Sequence, residues 1–212
     1  MGPGTEIVKM QNVRAVLFDL DNTLIDRDGA VGDWLLRTID APAVPMALKL
    51  DDNGYGDRDV FFSYLASCTG GTSDRAKSRF YEEILPFQRL NRGTSHLLDR
   101  IHGRIIIGIG SNGRTSMQMK KIAVTGLGKW TPEIIISESV GFKKPDPAFF
   151  DAACRILGVA REFTLMVGDH PINDIQGGKR AGLLTCWLRT PHYVAAPEAD
   201  FIIDSLSELD IP

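Results

Sequence analysis

The sequence has little of what marks secreted, membrane-bound or nucleic-acid-binding chains. Among its 212 residues are three cysteines, Cys68, Cys154 and Cys186, an odd number at wide spacing and without a C-x-x-C pair. That pattern excludes a disulfide framework and a cysteine zinc site, and reads as buried thiols of a reducing compartment. The four histidines, His96, His102, His170 and His192, stand at no metal-ligand spacing. No apolar run approaches membrane-spanning length; residues 104–110 are too few and too glycine-rich. The first ten residues, MGPGTEIVKM, lack the basic start and apolar stretch of a secretory leader. Lys and Arg are scattered and the net charge is −3, so neither a nucleic-acid nor a membrane-surface partner is expected. There is no internal repeat or low-complexity tract. A cytoplasmic protein is the expectation.

What is present is ordinary for a globular chain, with 43% hydrophobic and 24% charged residues, and long enough for one sizeable core plus a small insert. Short apolar runs at 13–19, 104–110, 133–137, 163–168 and 183–188 read as buried strands, with Phe201–Ile203 a short sixth. Helical patterns lie between them at Thr94–Ile101, 114–124, Pro147–Leu157 and 175–181; Pro147 suits a first turn capped by Asp146. This alternation predicts an α/β fold, a Rossmann-like parallel sheet covered by helices on both faces. The interval from Leu24 to about Arg92 breaks the rhythm. It has no convincing strand, is rich in aromatics (Trp34, Phe61, Phe62, Tyr64, Phe80, Tyr81, Phe87), and is punctuated by DDNGYGDRD at 51–59. The expected division is core at 1–26, an all-helical insert at 27–92 and core again at 93–212.

In open parallel sheets, ligands bind beyond the carboxyl ends of the strands. The first strand ends in Asp19-Leu20-Asp21-Asn22-Thr23 and the second in Ser111-Asn112-Gly113. The loop after the third carries GFKKPDP, and the fourth ends in Gly168-Asp169 with Asn173-Asp174 beyond. Asp19 and Asp21, two apart on extended backbone, are expected to project on the same side. Four carboxylates converging without a cation would repel strongly; a hard divalent ion with oxygen ligands relieves this, and Mg²⁺ suits the set. Lys144 adds a point charge suited to a phosphoryl oxygen. The Ser111 hydroxyl, with Asn112 and the backbone N–H groups at the next helix start, can bind another.

FDLDNTLID at 18–26, Ser111, Lys144-Pro145, and GDHPIND at 168–174 resemble, in order and spacing, the four motifs of the haloacid dehalogenase superfamily. The tail ADFIIDSLSEL is similar to that family's usual ending, and the resemblance covers everything except the insert. It implies that Asp19 is the nucleophile, forming an aspartyl phosphate. Asp21 is then general acid for the leaving alcohol and general base for water. Asp19, the backbone carbonyl of Asp21, and Asp169 hold Mg²⁺, with Asp174 in support, and Ser111 and Lys144 bind the transferring group. The insert is then a helical cap that closes over the site and contributes substrate contacts; Arg27, Trp34, Arg37, Phe61, Tyr64, Arg79 and Arg114 are candidates. Members that displace halide from carbon lack an aspartate at the second position, so Asp21 points to a phosphatase acting on a small phosphate ester. A sugar-phosphate mutase would share all four motifs.

Two readings from other classes stand beside this one. Residues 108–113 form G-x-G-x-x-G between a strand and a helix, with Glu138 after the next strand, matching the fingerprint of a nicotinamide-dependent oxidoreductase; that reading leaves Asp19, Asp21, Lys144 and Asp169 unexplained. A signalling receiver also holds phosphoryl groups with aspartates, a hydroxyl and a lysine, but is shorter and carries its acidic pair ahead of the acceptor. His170 and Asp174 have ordinary readings too, a loop residue and a helix-start acid.

Overall fold

The computed structural model describes residues 8–9, 12–196 and 198–211; of the ten residues read above for a leader, only Val8 and Lys9 are among them. In chain order the strands are β1 (Val8–Lys9), β2 (Ala15–Phe18), β3 (Ile106–Ser111), β4 (Ile134–Ile136), β5 (Thr164–Gly168), β6 (Leu184–Leu188), β7 (Phe201–Ile203) and β8 (Leu209–Asp210). The helices are α1 (Arg27–Thr38), α2 (Val44–Asp51), α3 (Arg58–Thr69), α4 (Ser73–Glu83), α5 (Thr94–Ile101), α6 (Thr115–Thr125), α7 (Ser137–Val140), α8 (Pro147–Leu157) and α9 (Gly177–Arg180). Residues Asp26–Arg89 form one compact unit and the remaining described residues another.

The larger unit is built on a six-stranded sheet in the order β4-β3-β2-β5-β6-β7, parallel throughout; β1 and β8 make a separate short parallel pair. Strand β2 lies at the centre because all four of its side chains are apolar and fully buried. Val16 and Phe18 face one layer with Leu97, Leu98 and Ile101 of α5; Ala15 and Leu17 face the other with Phe149, Phe150 and Leu157 of α8. Each fully buried Leu or Phe contributes roughly 1.5–3 kcal/mol by leaving water, which favours this register over a one-residue slip. The sheet, covered on both faces, is the Rossmann-like architecture expected from the strand–helix alternation. After β2 the chain moves outward through β3 and β4, then returns to the other side of β2 with β5. The crevice between β2 and β5 is thus the switch point where such sheets bind ligands.

Local signals explain the helix ends. Asp146 Oδ1 accepts the Ala148 N–H at 2.9 Å, Pro147 opens α8, and Gly158 closes it with φ of 67°. The helix expected at 175–181 is present as the short α9 and is preceded by a π-helical turn, Pro171–Gln176. The cause of the turn is local: His170 Nδ1 accepts the N–H groups of Ile172 and Asn173, both at 3.1 Å, and so starts the turn early.

The smaller unit contains only helices and 3₁₀ turns among its residues. Its core is aromatic. Trp34, Phe61, Phe62 and Phe80 are buried, with Phe80 edge-on to Trp34 at 5.1 Å and to Phe61 and Phe62 at 5.7 Å between centroids. Arg27 reaches both Asp51 oxygens at 2.6 and 2.9 Å, and Arg58 adds a third bond at 3.0 Å. Several residues expected as substrate contacts therefore have partners inside this unit. Trp34 Nε1 donates to Glu83, Tyr64 Oη to the Ala43 carbonyl and Arg79 to Glu83, while Arg37 lies 5.0 Å over Phe87.

Candidate active site

Asp19 follows β2 directly, and its N–H donates to the Val167 carbonyl at 2.8 Å, so the β2–β5 pairing carries it to the mouth of the crevice. One oxygen of each of Asp19, Asp169 and Asp174 lies within 4.8 Å of the others, and all three residues are buried. Lys144 stands among them. Its Nζ donates to Asp19 Oδ1 at 2.6 Å, Asp174 Oδ1 at 2.7 Å and the Gly110 carbonyl at 2.8 Å, which uses all three ammonium hydrogens. Asp174 Oδ2 accepts the His170 N–H at 3.0 Å, so the π-helical turn folds this carboxylate back onto the strand end. Gly168 makes room for it: a Cβ there would lie 2.3 Å from the Asp174 carboxylate. Trp187 Nε1 donates to the Asp169 carbonyl at 2.7 Å and steadies the other side.

The electrostatics follow from burial. The Asp19 carboxyl is pushed up to about 7 by desolvation, a rise that Lys144 restrains and that Asp174 and Asp21 reinforce. Asp169 is raised well above the usual carboxylate range, again by burial first and then by Asp19 and Asp174. Lys144 is held above its ordinary value because the attraction of Asp174 and Asp19 outweighs the cost of its burial. With all three carboxylates ionised, one ammonium would leave two negative charges uncompensated in this buried, all-oxygen site, and burial resists that charge by raising Asp19 and Asp169. That donor set fits a hard divalent cation such as Mg²⁺, and Asp19, Asp169 and Asp174 are the side chains placed to hold one.

The loop after β2 is not extended strand. The strand ends at Phe18 and the chain turns at Leu20, with Asn22 at φ of 62°. Regular alternation therefore does not continue to Asp21, whose carboxylate has partners on α6. It receives Lys121 Nζ at 2.7 and 2.9 Å on its two oxygens and Gln118 Nε2 at 2.8 Å. Asp21 thus stands outside the carboxylate cluster, whereas Asp174 belongs to it beside Asp19 and Asp169. Ser111, at the end of β3, accepts Gln118 Nε2 at 2.7 Å. The Asn112 amide is engaged at both ends by the Lys144 backbone, and Lys143 is exposed.

Gln118, Lys121 and Trp187 were not read from the sequence. The signal available for the first two was their spacing: Gln118, Lys121 and Ile122 share the buried face of α6. The first two glycines of the G-x-G-x-x-G pattern have a packing cause. A Cβ on Gly108 would lie 2.7 Å from Leu157, and one on Gly110 would lie 2.9 Å from Leu17. Glu138, the apparent ribose acid, accepts the Thr115 N–H at 2.8 Å and so caps α6.

Residues 13–182 match the haloacid dehalogenase-like hydrolases. The chain is 40% identical over 122 residues to pyrimidine 5′-nucleotidase YjjG of Escherichia coli, a stretch covering 56% of this chain and about half (54%) of that protein. It is 32% identical over 201 residues to pyrimidine 5′-nucleotidase PynA of Streptococcus pneumoniae, covering 84% of each. Among solved structures it resembles the magnesium-bound HAD-hydrolase YfnB of Bacillus subtilis, with a TM-score of 0.80 and 24% identity over 93% of this chain and 97% of that one. With its motifs at the ends of β2, β3 and β5 and a family match spanning most of its length, the chain belongs to the haloacid dehalogenase-like hydrolase family.

Proposed function

We propose that the chain is a phosphatase that hydrolyses small phosphate monoesters through a phosphoryl group carried on Asp19. The supporting observation is the cluster at the switch point, where Asp19 sits with Asp169 and Asp174 around Lys144. An Asp19 oxygen attacks the phosphorus of the ester, and the bond to the leaving oxygen breaks as Asp21 supplies its proton. Asp21 then removes a proton from water, which attacks the same phosphorus and releases inorganic phosphate with Asp19 restored. Lys144 keeps Asp19 oriented and compensates part of its charge, and Ser111 offers its hydroxyl to a phosphoryl oxygen. Mg²⁺, held by Asp19, Asp169, Asp174 and the Asp21 carbonyl, would neutralise charge on the transferring group.

We assign selectivity to the helical unit, as the family cap. The relatives named as pyrimidine nucleotidases put pyrimidine nucleoside 5′-monophosphates first in a screen of phosphate esters. Asp19→Asn should abolish phosphate release while leaving the fold intact. With BeF₃⁻ and Mg²⁺, the native protein should acquire a phosphoryl-like adduct by ¹⁹F NMR that Asp19→Asn does not. Continued turnover by that variant would end this assignment.

A further inference from the structure

Two polar side chains on the buried face of α6 have no place in the mechanism above. Gln118 and Lys121 are 3% and 8% exposed, and long polar side chains are buried only with partners. Their partners converge. Lys121 Nζ bonds both Asp21 oxygens at 2.7 and 2.9 Å, and Gln118 Nε2 divides its two hydrogens between Asp21 Oδ2 at 2.8 Å and Ser111 Oγ at 2.7 Å. One helix face thus touches the residues assigned to proton transfer and to phosphoryl binding, on the ends of two different strands.

We propose that Gln118 and Lys121 are positioning residues that brace the Asp21 carboxylate, and that Gln118 ties its place to the Ser111 hydroxyl. The proposal rests on the acid–base assignment of Asp21. A carboxylate on the turn after β2 has two free torsions of its own, and three donors from a packed helix remove that freedom. The brace matters most where a proton must reach the leaving oxygen, and least where the leaving group departs as a stable anion.

The test is the leaving-group dependence of kcat/KM, which reports the step up to ester cleavage, with an alkyl phosphate and p-nitrophenyl phosphate as probes. Lys121→Met should lower kcat/KM for the alkyl ester by ~10–10²-fold, the scale of a misplaced catalytic group, and for p-nitrophenyl phosphate by less than about threefold. Lys121→Arg, which keeps a charged donor, should recover part of the loss, and Gln118→Met should lose in the same direction. Gln118→Met keeps the question open to measurement if Lys121→Met does not fold. Equal losses on both esters, or none on either, in a folded variant would overturn the brace. Asp21→Asn measured in parallel separates the two ideas. If Asp21→Asn shows the leaving-group dependence and the α6 variants do not, the brace alone fails; if Asp21→Asn lacks it, the acid–base assignment fails and the brace with it.

Discussion

The side chain of Asn112 and the backbone of Lys144 are bonded twice, Oδ1 accepting the Lys144 N–H and Nδ2 donating to the Lys144 carbonyl, each at 2.9 Å. This reciprocal pair joins the end of β3 to the loop before α8. It fixes the point from which the lysine stem reaches Asp19, Asp174 and the Gly110 carbonyl. Asn112→Ala should destabilise the fold by about 1–3 kcal/mol, since it strands two part-buried backbone groups. It should also lower turnover by about tenfold or more as Lys144 loses its anchor. Urea unfolding and phosphate release measure the two effects; unaltered turnover in the folded variant would remove the positioning role.

Three converging carboxylates around one ammonium predict stabilisation by metal. Thermal midpoints should rise with Mg²⁺, by about 2.7 kcal/mol of stability at a hundredfold excess over Kd. EDTA should abolish turnover, and Ca²⁺, with looser coordination, should fail to support it. Asp169→Asn should lose most of the Mg²⁺ shift, while Asp21→Asn, whose side chain faces Lys121, should keep it. A full shift in Asp169→Asn would exclude this site as its source.

Gly168 gives a steric test. A methyl group there meets the Asp174 carboxylate, so Gly168→Ala should displace that side chain, cost about 1–3 kcal/mol through overpacking, and weaken the Mg²⁺ shift. Gly128, with no atom near its notional Cβ, is the control, and Gly128→Ala should be close to neutral. Equal effects at the two positions would contradict the geometry.

Acid should loosen the helical unit through Asp51. Burial pushes this carboxyl up, but bonds from Arg27 and Arg58 outweigh it and hold the group below its ordinary value of 3.8. A depressed carboxylate contributes stability that is present above that ordinary value and lost as pH falls through the lowered one. Asp51→Asn should therefore cost stability at neutral pH, about 3–5 kcal/mol for a broken buried pair, and should flatten the acid limb of the unfolding curve. Trp34 fluorescence reports this unit; parallel pH profiles for the two proteins would rule Asp51 out as the cause.

The sheet was legible because strands buried on both faces are continuous apolar runs, and each expected run overlaps the observed strand to within two residues at either end. The cap of α8 was legible because Asp146 and Pro147 act locally. What escaped reading depends on distant partners. Lys121 next to Lys120 looks like an ordinary solvated lysine until Asp21, a hundred residues earlier, is placed beside it. The partners of Asp21 escaped because Gln118 and Lys121 lie on a helix about a hundred residues further along the chain. The π-helical turn escaped because it is started by a histidine side chain. The dinucleotide-like glycines mislead for a physical reason: close approach of a side chain to a strand and close approach of a phosphate impose the same demand on sequence.

The strand order has a consequence for how the chain is made. Ala15 in β2 pairs with Ile106 on one side and with Thr164 on the other, so the central strand leaves the ribosome long before either neighbour exists. The helical unit, whose contacts are local, can order in that interval. Asp19 meanwhile waits for Lys144, and the cluster around it closes only once Asp174 has been synthesised. A nascent chain halted before β3 therefore holds an unpaired apolar strand beside an acidic turn that lacks its lysine, and such fragments should need chaperones more than the finished protein does.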